Sequence, residues 1–127
     1  MIEPVTEDEV QTWVAGYLSA WRGYRPDEIA ALFAQGATYA YHPFDAGEDI
    51  VRGRDAIVSN WLEQPDPPDA WTADLHPYVV SGSRAVVSGR ISYRDGRGEF
   101  ANLWQLDFDG EGRCSSFLEW YMRLRGT

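Results

Sequence analysis

LFAQGATYAYHPF, residues 32–44, starts on the apolar spacing of a helix end and passes within a few residues into an aromatic, alternating strand. The segment closes on His42-Pro43, and His42 is one of only two histidines in the chain. An imidazole at the end of an otherwise apolar strand has to find a partner if it is buried, so this stretch points both to a helix-to-strand fold and to a site.

Upstream, Ile29, Leu32 and Phe33 supply the apolar side of a short helix whose first turn suits Pro26 and whose C-terminal cap suits Gly36. Before it, Thr6-Glu7-Asp8-Glu9 reads as a capping box. Val10, Trp13, Val14, Tyr17, Leu18 and Trp21 follow at helical spacing and define one broad apolar face over about residues 7–22. Downstream, a third helix begins near Arg54 and presents Ile57, Trp61 and Leu62. The stretch QPDPPDAW, residues 64–71, joins that helix to the remainder of the same domain.

Beyond residue 70 the period becomes two. Val87, Gly89, Ile91 and Tyr93 share one face of a strand, Arg94 to Gly98 form a hairpin turn, and Asn102, Trp104, Leu106 and Phe108 share one face of the next strand with Phe100. A second turn at Asp109 to Gly112 leads into a last strand over 114–124. Three helices followed by three long antiparallel strands make the class α+β, in a single domain spanning residues 1–127. The last strand is apolar on both faces, with Phe117, Glu119 and Tyr121 on one and Leu118, Trp120, Met122 and Leu124 on the other. An outward patch of that size points to a homodimer through the outer sheet face; the alternative is cover by the tail, of which only three residues follow Leu124.

Composition removes several kinds of chemistry. Twenty acids against eleven bases give a net charge of −9, and the scattered bases argue against nucleic acid as a partner. All the bases are arginine, which excludes a lysine Schiff base. Cys114 is the lone cysteine, so neither an internal disulfide nor a CxxC zinc site exists. Neither GxGxxG nor GxxxxGK[ST] occurs, and no cofactor is expected. No apolar run approaches the roughly 20 residues of a membrane span, and MIEPVTEDEV is acidic where a signal peptide is basic, so a cytoplasmic protein without a membrane partner is expected.

The capped aromatic helix, the LFAQGATY stretch, the HPF turn, the GRDAI helix start and the DGRG and DGEG turns together resemble the SnoaL-like branch of the nuclear-transport-factor-2-like superfamily. The resemblance covers nearly the whole chain and is most specific over Leu32 to Pro43 and Gly53 to Trp61. It implies a cone-shaped α+β fold in which a curved antiparallel sheet wraps three N-terminal helices and leaves a pocket at the wide end. Ketosteroid isomerase, scytalone dehydratase, limonene epoxide hydrolase and polyketide cyclases share this fold, as do members without chemistry, so fold alone does not decide function. The acid–arginine–acid arrangement of an epoxide hydrolase has no clear place in this chain.

The resemblance also implies site residues. His42-Pro43 stands near the place of the isomerase's general-base aspartate, with one residue inserted, and Tyr17 falls on its oxyanion-hole tyrosine. The acid donor of that hole is replaced by Trp104, which removes one of the two donors a dienolate needs. Polyketide cyclases of this family carry an acidic acid/base residue on a late strand, and Glu119 is its nearest counterpart. Independently, Asn102 and Glu119 both interrupt apolar inward faces on neighbouring strands, where cross-strand pairing brings such residues close. A carboxyl among aromatic rings has its charged form disfavoured and becomes useful as an acid or base. The candidate catalytic residues are therefore His42, Glu119 and Tyr17. Asn102 is a hydrogen-bonding residue, and Trp13, Trp21, Phe33, Tyr39, Trp61, Phe100 and Trp104 are the candidate wall for a flat or apolar ligand.

Each candidate has a structural alternative. His42 caps a strand end; Glu119 pairs with Arg123, Arg90 or Arg54 as an ion pair; Tyr17 is packed core with a satisfied hydroxyl; Asn102 holds a strand in place. His76 is structural or exposed. A triad of the two histidines and a carboxylate has no spacing to support it, so no metal is expected, and Asp45, Glu48 and Asp49 read as a solvated rim. Three functions fit the pattern: a cofactor-free isomerase, cyclase, dehydratase or hydrolase acting on a small apolar or aromatic molecule, a module that binds such a molecule without reacting, and an assembly domain whose aromatics fill the space. The first is the leading expectation.

Overall fold

The computed structural model describes residues 4–126. The first helix, α1 (Glu7–Gly23), starts at Thr6, whose hydroxyl accepts from the Glu9 amide while the Glu9 carboxylate accepts from the Thr6 amide. It ends at Tyr24, a non-glycine residue held at φ 51° in the left-handed region. Val10, Trp13, Val14, Tyr17 and Ala20 form its buried face. Pro26 opens α2 (Pro26–Ala30), and the chain then enters β1 (Phe33–Ala40).

The expected helix end at Gly36 is therefore corrected, since Gly36 lies inside β1. The Leu32 carbonyl accepts from both the Cys114 amide and the Trp13 indole, and this tertiary pairing draws the chain into the sheet at Phe33 before helical spacing runs out. A short 3₁₀ turn (Gly47–Asp49) and the two-residue β2 (Val51–Arg52) lead into α3 (Arg54–Glu63). Ile57 and Trp61 are its buried residues, whereas Leu62, expected on the same face, is exposed.

Four long strands complete the chain: β3 (Trp71–Ser81), β4 (Arg84–Tyr93), β5 (Gly98–Phe108) and β6 (Cys114–Arg123). The strands form one curved sheet in the order β2-β1-β6-β5-β4-β3, which does not close. Every pair is antiparallel except β1 with β6, so the sheet is mixed. Pro77 is tolerated because β3 is an edge strand and its register slips between Pro77 and Val79. Curvature has a specific cause at Leu75↔Gly89: a Cβ on Gly89 would stand 1.9 Å from the Asp74 carbonyl oxygen, so only glycine lets the two backbones approach this closely.

The inner face carries the alternation read from the sequence. Val87 and Ile91 of β4, Asn102, Trp104, Leu106 and Phe108 of β5, and Phe117 of β6 are buried against the helices. Aromatic rings dominate this core. Phe117 stacks on Tyr39 at 4.2 Å and runs parallel to Tyr17 at 5.6 Å, and Trp13 meets Phe33, Trp104 and Phe108 edge-on. On the outer face Trp120 and Met122 are exposed, and Phe44, at φ 65°, projects into solvent beside Trp120. No helix among the described residues is long and apolar enough to cross a membrane.

Candidate functional site

The core is not filled everywhere. A cavity of about 380 Å³ opens between α1, α3, the end of β1 and the inner faces of β4 to β6. That volume lies at the small end of the range for ligand sites. Six of the sequence candidates line it: Tyr17, Trp21, Tyr39, Trp61, Trp104 and Glu119.

Glu119 is the chemical centre of the cavity. Register places Trp104 directly across from Glu119 and Asn102 one pair further along the strand. The Trp104 indole donates to Glu119 Oε2 at 2.9 Å and the Asn102 amide donates to the same oxygen at 3.0 Å. Among the described residues nothing donates to Oε1, and no cation pairs with the carboxyl. The ion-pair alternative with Arg123, Arg90 or Arg54 is thus replaced by two neutral donors. Burial raises the Glu119 pKa above the ordinary carboxylate value, opposed by these two hydrogen bonds and by the field of His42.

Tyr17 and Tyr39 share a 2.7 Å hydrogen bond between their hydroxyls in the buried wall. Burial is the main cause that pushes both phenols well above their ordinary pKa, and Glu119 raises them further, so both stay neutral through the physiological range. Tyr41, whose hydroxyl donates to Asn60 Oδ1 at 2.6 Å, and Tyr93 are each pushed up to about 12, chiefly by burial.

The other candidates stand apart from the cavity lining. Trp13 and Phe33 sit deeper, where Trp13 spends its indole N–H on the Leu32 carbonyl and both rings are core. Phe100 packs between Tyr93 and Tyr121. Asn102 reaches Glu119 but not the cavity, and it is buried with its own Oδ1 unpartnered. His42, a candidate acid/base group, is exposed and lies outside the lining. The chain turns outward at Pro43 and Phe44, and the ring meets Tyr121 Oη at 2.9 Å and Asp45 at 3.4 Å on the surface. His76 is likewise exposed, between Asp74 and Gln11.

The sequence reading missed the cavity mouth. Asp66, in the Pro/Asp-rich connection, accepts from Arg97 at 2.9 Å and from the Trp21 indole at 3.0 Å, while its amide donates to the Tyr24 hydroxyl. Arg97, in the β4–β5 turn, also pairs with Asp95 and lies 3.8 Å over the Tyr93 ring. These contacts clasp the hairpin tip to α1 beside the opening. The available signal was the unusual density of Asp and Pro between Gln64 and Trp71, which marks an ordered loop. Among the described residues no group of three or more His, Cys, Asp or Glu is placed to hold a metal ion.

An open curved sheet packed on three helices, with an aromatic cavity and a carboxyl on the last strand, defines an α+β domain with a cavity between its helices and its sheet. The SnoaL-like domain matches residues 14–119, and the chain belongs to that family. No curated protein matches it. Among solved structures it is similar to a protein from Sphaerobacter thermophilus, at 24% identity and TM-score 0.67, covering 88% of this chain and 94% of that one. It is also similar to a candidate ketosteroid isomerase from Kribbella flavida, at 18% identity and TM-score 0.70, covering 95% and 83%. An NTF2-like protein of unknown function from Burkholderia xenovorans matches at 15% identity and TM-score 0.72, covering 95% and 88%. At these identities the likeness is one of fold.

Proposed function

We propose that the protein binds a small apolar or aromatic molecule in the cavity and acts on it as a cofactor-free acid/base enzyme of the isomerase, cyclase, dehydratase or hydrolase type, with Glu119 as the titrating group. The observation that carries this reading is the asymmetry of the Glu119 carboxyl: Oε2 is fixed by Trp104 and Asn102, while Oε1 has no protein donor and the residue lines the cavity. Two neutral donors orient the group without neutralising it, and burial brings its protonation closer to neutral pH, which suits proton transfer. Tyr17 stands beside it as a hydrogen-bonding residue whose phenol stays protonated. His42, outside the lining, acts on Glu119 only through its field.

A second reading is a carrier that binds without reacting. It rests on the Tyr17–Tyr39 hydroxyl pair, in which one of the two O–H donors is spent on the other phenol and a single one is left for an oxyanion. The two readings separate in one experiment with enolisable aromatic ketones in deuterated water. Saturable quenching of tryptophan fluorescence with deuterium entering the α-carbon, lost in Glu119→Gln, supports the enzyme. Quenching without exchange supports the carrier, and no saturable quenching by a broad panel of aromatic, steroid-like and polyketide-like compounds removes both. The exposed Trp120 and Met122 on the outer sheet face support a homodimer, and a monomeric mass in solution would refute it.

A further inference from the structure

We propose that the cavity selects an organic cation, a protonated amine carried on an aromatic or apolar body. This rests on the reading of the cavity as a ligand site and adds the charge of the ligand. Three carboxylates line the cavity, Glu63, Asp66 and Glu119, against one guanidinium, Arg97. That guanidinium is already committed to Asp66 at 2.9 Å and Asp95 at 2.6 Å and lies over Tyr93, so it offers little to an anion.

The hydrogen-bond inventory points the same way. At the cavity one carboxylate acceptor lacks a protein donor among the described residues, Glu119 Oε1. Every donor that reaches Glu119 is spent on Oε2. A carboxylate oxygen left open to the cavity is complementary to an ammonium, which carries three donors and no acceptor, and is mismatched to a carboxylate or phosphate. The walls suit the same ligand, because the Trp21, Trp61, Tyr41 and Tyr93 rings all border the cavity, and aromatic rings attract cations. The chain's net charge of −9 draws a cation toward the protein rather than away from it.

The test uses three phenyl probes of three charges: 2-phenylethylamine, 2-phenylethanol and phenylacetate, titrated at pH 8 against tryptophan fluorescence in the wild type and in Glu119→Gln. The amine is expected to bind about tenfold more tightly than the alcohol, with the acid weakest. In Glu119→Gln the amine should fall to the level of the alcohol. An unchanged circular dichroism spectrum and urea unfolding midpoint at pH 5 show that the isosteric variant is folded. Equal binding of amine and alcohol in the wild type, or a preference for the amine that survives in Glu119→Gln, overturns the inference and leaves the ligand site standing. Failure of all three probes to bind overturns both.

Discussion

Replacing Phe117 by alanine should cost about 4 kcal/mol of stability and disorganise the wall that carries the tyrosine pair. Phe117 is 1% exposed and lies parallel to Tyr39 at 4.2 Å and to Tyr17 at 5.6 Å, with Trp104 at 5.1 Å. Truncating a buried Phe to Ala costs roughly 3–5 kcal/mol in transfer and cavity terms, and aromatic pairs add about 0.5–1.5 kcal/mol each, which places this site in the upper half of that range. The void would lie against an existing cavity, so entry of water is the main route to a smaller loss. Against a total stability of about 5–15 kcal/mol the variant is marginal but measurable. With a urea slope of about 2 kcal/mol per molar, the unfolding midpoint should fall by about 2 M. A loss below about 1.5 kcal/mol with an unchanged slope would refute the claim that this ring organises the core.

Other consequences are separate from that one. Because burial favours the neutral carboxyl of Glu119, its contribution to stability is fully present below the ordinary carboxylate pKa and is lost as pH rises through the raised value in the folded protein; urea unfolding between pH 4 and 8 should show this loss in the wild type and not in Glu119→Gln. Gly89→Ala should destabilise by at least about 2 kcal/mol in the same assay, since the added Cβ meets backbone on β3 that cannot give way. Asp66→Ala removes the Arg97 and Trp21 contacts and should cost only about 1–2 kcal/mol, yet hydrogen exchange at residues 94–97 should accelerate and ligand on- and off-rates should rise together.

Where local rules decide the structure, the sequence was readable. The Thr6–Glu9 box set the start of α1, and period-two alternation assigned the inner faces of β4, β5 and β6, including the approach of Asn102 to Glu119. The end of α2 was not readable, because Gly36 is an ordinary cap signal that the pairing of Leu32 with Cys114 overrides. Nor does apolar periodicity distinguish a ring that fills the core from one that borders a space. Trp13 and Trp21 lie on the same helical face, yet only Trp21 lines the cavity. Tyr24, Tyr41, Tyr93, Asp66 and Arg97 reach the site from turns, strand ends and a connection, a convergence set by sheet curvature and long-range contacts. The turn at Pro43 and Phe44, which carries the His42 ring to the surface, was not readable either.

The most direct test of the account is the titration of the Glu119 carboxyl itself, followed by ¹³C NMR of glutamate-labelled protein and assigned by the resonance that disappears in Glu119→Gln. The account predicts that it titrates above the exposed glutamates of the chain and shifts when an aromatic ligand occupies the cavity. Titration together with the exposed glutamates, unmoved by any ligand, would contradict it.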